Sequence, residues 1–94
     1  MITPPTLASR VTVSGDVLFQ ELHGEAVLLH LKTGVYFGLD PVGTRVWQLL
    51  QAHADLSDLL QAMVAEFDVT EERCTEDLLA LIAEMQAHQI VMLR

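Results

Sequence analysis

Residues 24–50 read GEAVLLHLKTGVYFGLDPVGTRVWQLL, and a change of rhythm inside this stretch decides the fold. Ala26–Leu31 and Val35–Leu39 are short apolar runs rich in branched and aromatic side chains, and the turn residues Lys32-Thr33-Gly34 separate them. That is a hairpin pattern. Asp40 then stands before Pro41. A carboxylate there can accept from the free N–H groups of a first helical turn, and proline at the first helical position lacks a donor that would be orphaned anyway. The second strand therefore feeds directly into a helix over Pro41 to Ala52, with Val42, Val46, Trp47, Leu49 and Leu50 as its buried stripe.

Upstream, the turn signals Ser14-Gly15-Asp16 and His23-Gly24-Glu25 bracket a further strand at Val17–Leu22, with Val11–Val13 a weaker candidate. Downstream, Ser57 offers a cap for a helix from Asp58 to Phe67 carrying Leu59, Leu60, Met63 and Val64. Thr70 caps a third helix, with Glu71 and Glu72 in its positive first turn, and this helix continues through Leu78, Leu79, Leu81, Ile82 and Met85 to His88. Ile90-Val91-Met92-Leu93 is an apolar segment that must pack on the domain or add a short strand. The expected fold class is α+β: a three-stranded antiparallel sheet followed by three helices, like a winged helix-turn-helix. Residues 1–8 hold two of the three prolines and read as a flexible tail, leaving 9–94 as one domain.

Composition narrows the function. A hydrophobic fraction of 51% with 19% charged residues supplies enough apolar surface for a folded core. The formal charge of −8 opposes a phosphate backbone, so nucleic acid is not an expected partner, whereas a basic peptide would be attracted. Cys74 has no second cysteine to pair with, and the N-terminus lacks a basic region followed by an apolar run. No apolar segment approaches the roughly twenty residues of a membrane span, and a cytoplasmic protein is expected. His23, His30, His53 and His88 are scattered without zinc-ligand spacing, and no phosphate loop or nucleophile elbow is present. No cofactor, metal or catalytic residue is therefore assigned.

The hairpin and capped helix, followed by an Asp-Leu-x-x-Leu helix, Glu66-Phe67-Asp68-Val69 and Glu76-Asp77-Leu78, resemble the PqqD-like proteins, the precursor-peptide recognition elements (RREs) of ribosomal peptide biosynthesis. The Tyr-Phe-Gly-Leu-Asp strand running into Gly-Thr-Arg-x-Trp is most similar to the stand-alone members of lasso peptide clusters. The resemblance implies a non-catalytic domain that binds the leader of a precursor peptide by strand addition. The partners it implies are that leader, a leader peptidase of the cysteine protease class and an ATP-dependent cyclase. Within the family, the alternative is a peptide chaperone for a radical SAM enzyme in pyrroloquinoline quinone biosynthesis.

The matching positions are Val35, Tyr36, Phe37, Gly38 and Leu39 on the strand, with Asp77, Leu78, Leu81, Ile82 and Met85 on the third helix. Tyr36 and Phe37 point to opposite faces, Gly38 suits either close approach of another backbone or a bulge, and the helix carries more apolar surface than one seam needs. The acidic residues Glu71, Glu72, Glu76, Asp77 and Glu84 form either a steering surface for a basic leader or a simply solvated face. Trp47 reads as a core anchor between sheet and helices. Two readings of other classes stand beside this one: a winged-helix transcription regulator, and a homodimer that pairs through the Val35–Leu39 edge.

Overall fold

The rhythm change at Asp40 is visible in space as an antiparallel sheet that ends where a helix begins. The computed structural model describes residues 3–94. In chain order the elements are β1 (Val11–Val13), β2 (Val17–Leu22), β3 (Glu25–His30), β4 (Tyr36–Leu39), α1 (Pro41–Leu50), α2 (Leu56–Glu66), α3 (Glu71–Ala87) and β5 (Val91–Leu93). Strands β2, β3 and β4 form the expected three-stranded antiparallel sheet in that spatial order, and the three helices follow it.

The turns explain the register. Leu22 opposes Glu25, so His23 and Gly24 form a two-residue loop, and both have positive φ (57° and 81°). That combination is the turn whose twist matches paired strands. In the β3–β4 connection the buried His30 ring accepts from the N–H groups of Lys32 (3.2 Å) and Thr33 (3.4 Å), while Gly34 supplies the positive φ of 75°. Asp40 Oδ1 accepts from Gly43 N–H at 2.7 Å, and Thr70 Oγ1 accepts from Arg73 N–H at 3.2 Å, so both caps form as expected.

Several boundaries differ from expectation for physical reasons. α2 starts at Leu56 with Asp55, not Ser57, at its N-cap. The Asp55 carboxylate is held by Arg10 at 3.0 Å instead of by a helical N–H. β1 does not join the three-stranded sheet: it pairs with β5, Val11 opposite Leu93 and Val13 opposite Val91. The chain reverses after α3 because Gln89 adopts a positive φ of 61°, and Ile90 N–H reaches back to the Met85 carbonyl (2.9 Å) while Gln89 N–H bonds that of Gln86 (3.1 Å). This helix-ending motif drops the buried Ile90 against the core and aims the last residues at β1. Within the N-terminal segment, Thr6 and Ser9 close a turn and Leu7 packs on the core; the expectation made for Met1 and Ile2 lies outside the described residues.

The core lies between the inner face of the sheet and the helices. Ala26, Leu28, Phe37 and Leu39 meet Val46, Trp47, Leu50, Leu59, Leu60, Leu78, Ile82 and Met85, and Ile90 and Val91 close one side. Trp47 is buried and stacks on Phe19 with ring centroids 6.2 Å apart, which anchors α1 to the sheet. Val42, expected in the α1 stripe, is instead 49% exposed. In the first turn of α1, Pro41 and Val42 face outward while Gly43 and Thr44 are buried.

Candidate functional site

β4 is an outer strand and, among the described residues, pairs only with β3. His30 N–H donates to the Val35 carbonyl at 3.0 Å, and hydrogen-bonding direction alternates along an antiparallel strand. Val35, Phe37 and Leu39 therefore turn their backbone groups toward β3. Tyr36 and Gly38 turn theirs toward the open edge. The ladder is continuous, with Val27 opposite Gly38, so Gly38 is not a bulge. A Cβ added there would meet no atom within 4 Å, so the packing of this chain does not itself require glycine.

The open edge borders a groove of about 510 Å³ between β4, the first turn of α1 and α3. Phe37, Gly38 and Leu39 form one wall, Asp40, Val42 and Gly43 one end, and Asp77, Leu81 and Glu84 the opposite wall. Val42, Asp77 and Leu81 also border a smaller apolar hollow of about 180 Å³ between the three helices, completed by Val46, Met63, Phe67, Val69, Cys74 and Leu78. A strand lying along β4 would thus have an apolar trough beside it and a side-chain-sized recess next to that.

The electrostatics of the groove are one-sided. Asp40, Asp77 and Glu84 stand at its rim. Among the described residues, Asp77 has a single cationic neighbour, Arg73 at 3.3 Å, with both side chains about 70% exposed, and such a pair contributes little. Cys74 is buried in the wall of the recess, where burial first and the Asp77 charge second push its thiol upward in pKa. It is a packing residue whose burial and neighbouring Asp77 charge favour the protonated thiol. Among the described residues no three His, Cys, Asp or Glu side chains gather in a way that could hold a metal ion.

Of the residues singled out in the sequence, the structure brings Phe37, Gly38, Leu39, Asp77 and Leu81 together in the groove and puts Leu78 in the recess. Tyr36 lies 70% exposed on the outer face, so its backbone, not its ring, addresses the edge. Val35 precedes β4 and belongs to the turn. Ile82 and Met85 are completely buried and face the core. Apolar spacing along α3 could not separate them from Leu81, because the helix is apolar on two sides and only packing shows which side the sheet takes. Sequence reasoning missed Asp40, Val42 and Gly43 as groove residues. Their signal was their position directly after an edge strand, where a helix start must lie beside the edge.

An unpaired strand edge beside an acidic, apolar-floored groove defines a peptide-binding module more readily than a catalytic cleft. The sequence profile of the family described as Coenzyme PQQ synthesis protein D (PqqD) matches residues 25–91. The chain belongs to the PqqD family. The solved structure "TbiB1 in Complex with the TbiA(beta) Leader Peptide" is similar to it at 34% identity, with a TM-score of 0.78, covering 84% of this chain and 92% of that one. A second, "Lasso peptide synthetase B1 complexed with the leader peptide", shares the fold at 20% identity with a TM-score of 0.75, covering 88% and 98%. No curated protein matches the sequence.

Proposed function

We propose that this chain binds the leader segment of a ribosomally made precursor peptide, a lasso peptide precursor by its likeness to leader-bound lasso proteins, as a strand added to the edge of β4. The observation that carries this reading is the pair of outward backbone units at Tyr36 and Gly38, opening onto the groove against α3. Strand addition derives affinity from main-chain hydrogen bonds and specificity from alternate side chains. Every second residue of the leader would enter the trough among Phe37, Val42 and Leu81. A basic residue at either end would meet Asp40, Asp77 or Glu84. The similarity to TbiB1, itself in complex with a leader peptide, supports the same reading.

The domain then delivers the bound precursor to a leader peptidase of the cysteine protease class or to an ATP-dependent cyclase, in a cytoplasmic setting. It is a carrier and not an enzyme. A pyrroloquinoline quinone precursor would use the same groove, and the leader that saturates it distinguishes the two. A transcription role finds no support in α3, whose only cation is Arg73 against Glu71, Glu72, Glu76, Asp77 and Glu84. Among the described residues, no helix is long and apolar enough to cross a membrane.

The test is a titration of isotopically labelled protein with a synthetic leader from the precursor reading frame beside its gene. Saturable amide shifts at Tyr36, Gly38 and Leu81, with none along β2, are expected. Absence of saturable shifts with that leader and with a pyrroloquinoline quinone precursor would overturn the reading.

A further inference from the structure

The sheet has a second open edge, at β2, which among the described residues pairs only with β3. Leu31 N–H donates to the Asp16 carbonyl at 2.7 Å, and this fixes the alternation on β2. Leu18, Gln20 and Leu22 turn their backbone groups toward β3, whereas Val17, Phe19 and Glu21 turn theirs outward. The strand is six residues long, VLFQEL, with no proline and no lysine, and its register with β3 is unbroken by a bulge. It therefore lacks the proline, lysine or bulge that often protects an edge from pairing, and its one charge, Glu21, stands on the inner face. On its outer face Leu18 is 55% and Leu22 70% exposed, although both are large and apolar. Nothing in the fold accounts for their exposure.

We propose that the occupant of this edge is a second copy of the same chain, paired antiparallel about a two-fold axis at Gln20, which makes one six-stranded sheet with a free β4 at each end. Two-fold pairing must bring like faces together, so the axis passes through a residue and each candidate centre can be judged by the pairs it makes. Centring on Gln20 sets Leu18 against Leu22 of the second copy, twice, and sets the two Gln20 amides against each other. Centring on Phe19 sets Leu18 against Gln20 and Val17 against Glu21, while centring on Glu21 opposes two carboxylates. Centring on Leu18 also pairs apolar with apolar, Leu18 with Leu18 and Val17 with Phe19, but it joins only the first three residues of the strand, whereas the Gln20 register joins Leu18 through Leu22 and avoids like charges. Its remaining contact, Phe19 beside Glu21, is mild because Gln48 Nε2 holds the Glu21 carboxylate at 2.8 Å.

The interface is small, one strand and its side chains, and falls at the weak end of specific contacts. Each copy also carries a charge of −8, so added salt strengthens the pairing by screening that repulsion. This arrangement differs from pairing through Val35–Leu39, which would block the groove. Here both grooves stay open, at opposite ends of the dimer.

The test is sedimentation equilibrium of the full chain from about 10 to about 300 µM, a range suited to a weak interface, at low salt and at about 0.5 M NaCl. The expected result is a mass rising from one copy to two with concentration, further at high salt. The Leu18→Lys/Leu22→Lys variant is expected to stay at one copy with an unchanged thermal transition. Oxidised Gln20→Cys is expected to run as a covalent dimer, because facing residues of such a pair lie about 4.5 Å apart at Cα, within disulfide reach. Cys74 is buried and does not compete. A constant single-copy mass at both salts, or cross-linking through Gly38→Cys but not Gln20→Cys, would overturn the proposal.

Discussion

Replacing Gly38 by proline separates peptide binding from folding. Gly38 directs its N–H to the open edge, whereas Phe37 and Leu39 hold β3, so proline at 38 removes no hydrogen bond inside the sheet. An edge strand tolerates proline where the lost donor faced solvent, and a Cβ at position 38 would meet no atom within 4 Å. A leader strand would lose one N–H···O bond, a net loss of about 0.5–1.5 kcal/mol, or about 1–3 kcal/mol if its carbonyl is left buried and unpaired. At about 1.4 kcal/mol per tenfold, the dissociation constant rises roughly two- to hundredfold. Calorimetric titration of the leader into the Gly38→Pro variant measures this, and a melting temperature close to that of the parent chain shows that the sheet persists. Glu21→Pro, which removes an outward donor on β2, is the control and should leave leader affinity unchanged. Parent affinity in a folded Gly38→Pro variant would refute strand addition at β4. Equal losses in both variants would refute the assignment of the leader to one edge.

The remaining predictions concern core, charge and thiol. Ile82→Ala removes methyl groups from a fully buried site and should cost about 2–4 kcal/mol of stability by chemical denaturation; leader affinity should be unchanged wherever the variant is still folded. Asp77→Lys/Glu84→Lys should leave the melting temperature near that of the parent while slowing association of a lysine-bearing leader at low salt, and stopped-flow rates of the two proteins should converge as salt is raised. Cys74 should resist iodoacetamide in the folded protein and react on unfolding. Its folded pKa lies above the 9.0 of a free thiol, so its contribution to stability is present below that pH and is lost as pH rises beyond it. Denaturant titrations of the parent and Cys74→Ala from pH 7 to 11 should show a steeper alkaline decline in the parent.

Much of this architecture is written in local chemistry, and those features were legible without coordinates. The period-2 runs around Lys32-Thr33-Gly34, the Asp40-Pro41 start and the Thr70 cap each act through backbone groups a few residues away. A local bond needs only the right residue at the right offset, so the element order and the α+β class followed. Membership of the PqqD family was legible for a similar reason, since the resemblance rests on the same ordered pattern of strands and caps. Tertiary contacts decided what local chemistry leaves open. The Asp55 carboxylate could cap α2 or pair with Arg10, and the proximity of β1 settled it. Met85, Ile82 and Leu81 are equally apolar in sequence, yet the first two are completely buried in the core and Leu81 lines the groove. Which strand is outermost, which backbone groups face the open edge and whether the first turn of α1 is covered all depend on partners distant in the chain. No offset rule reaches them, because burial and edge pairing belong to the assembled sheet and helices, not to any one segment.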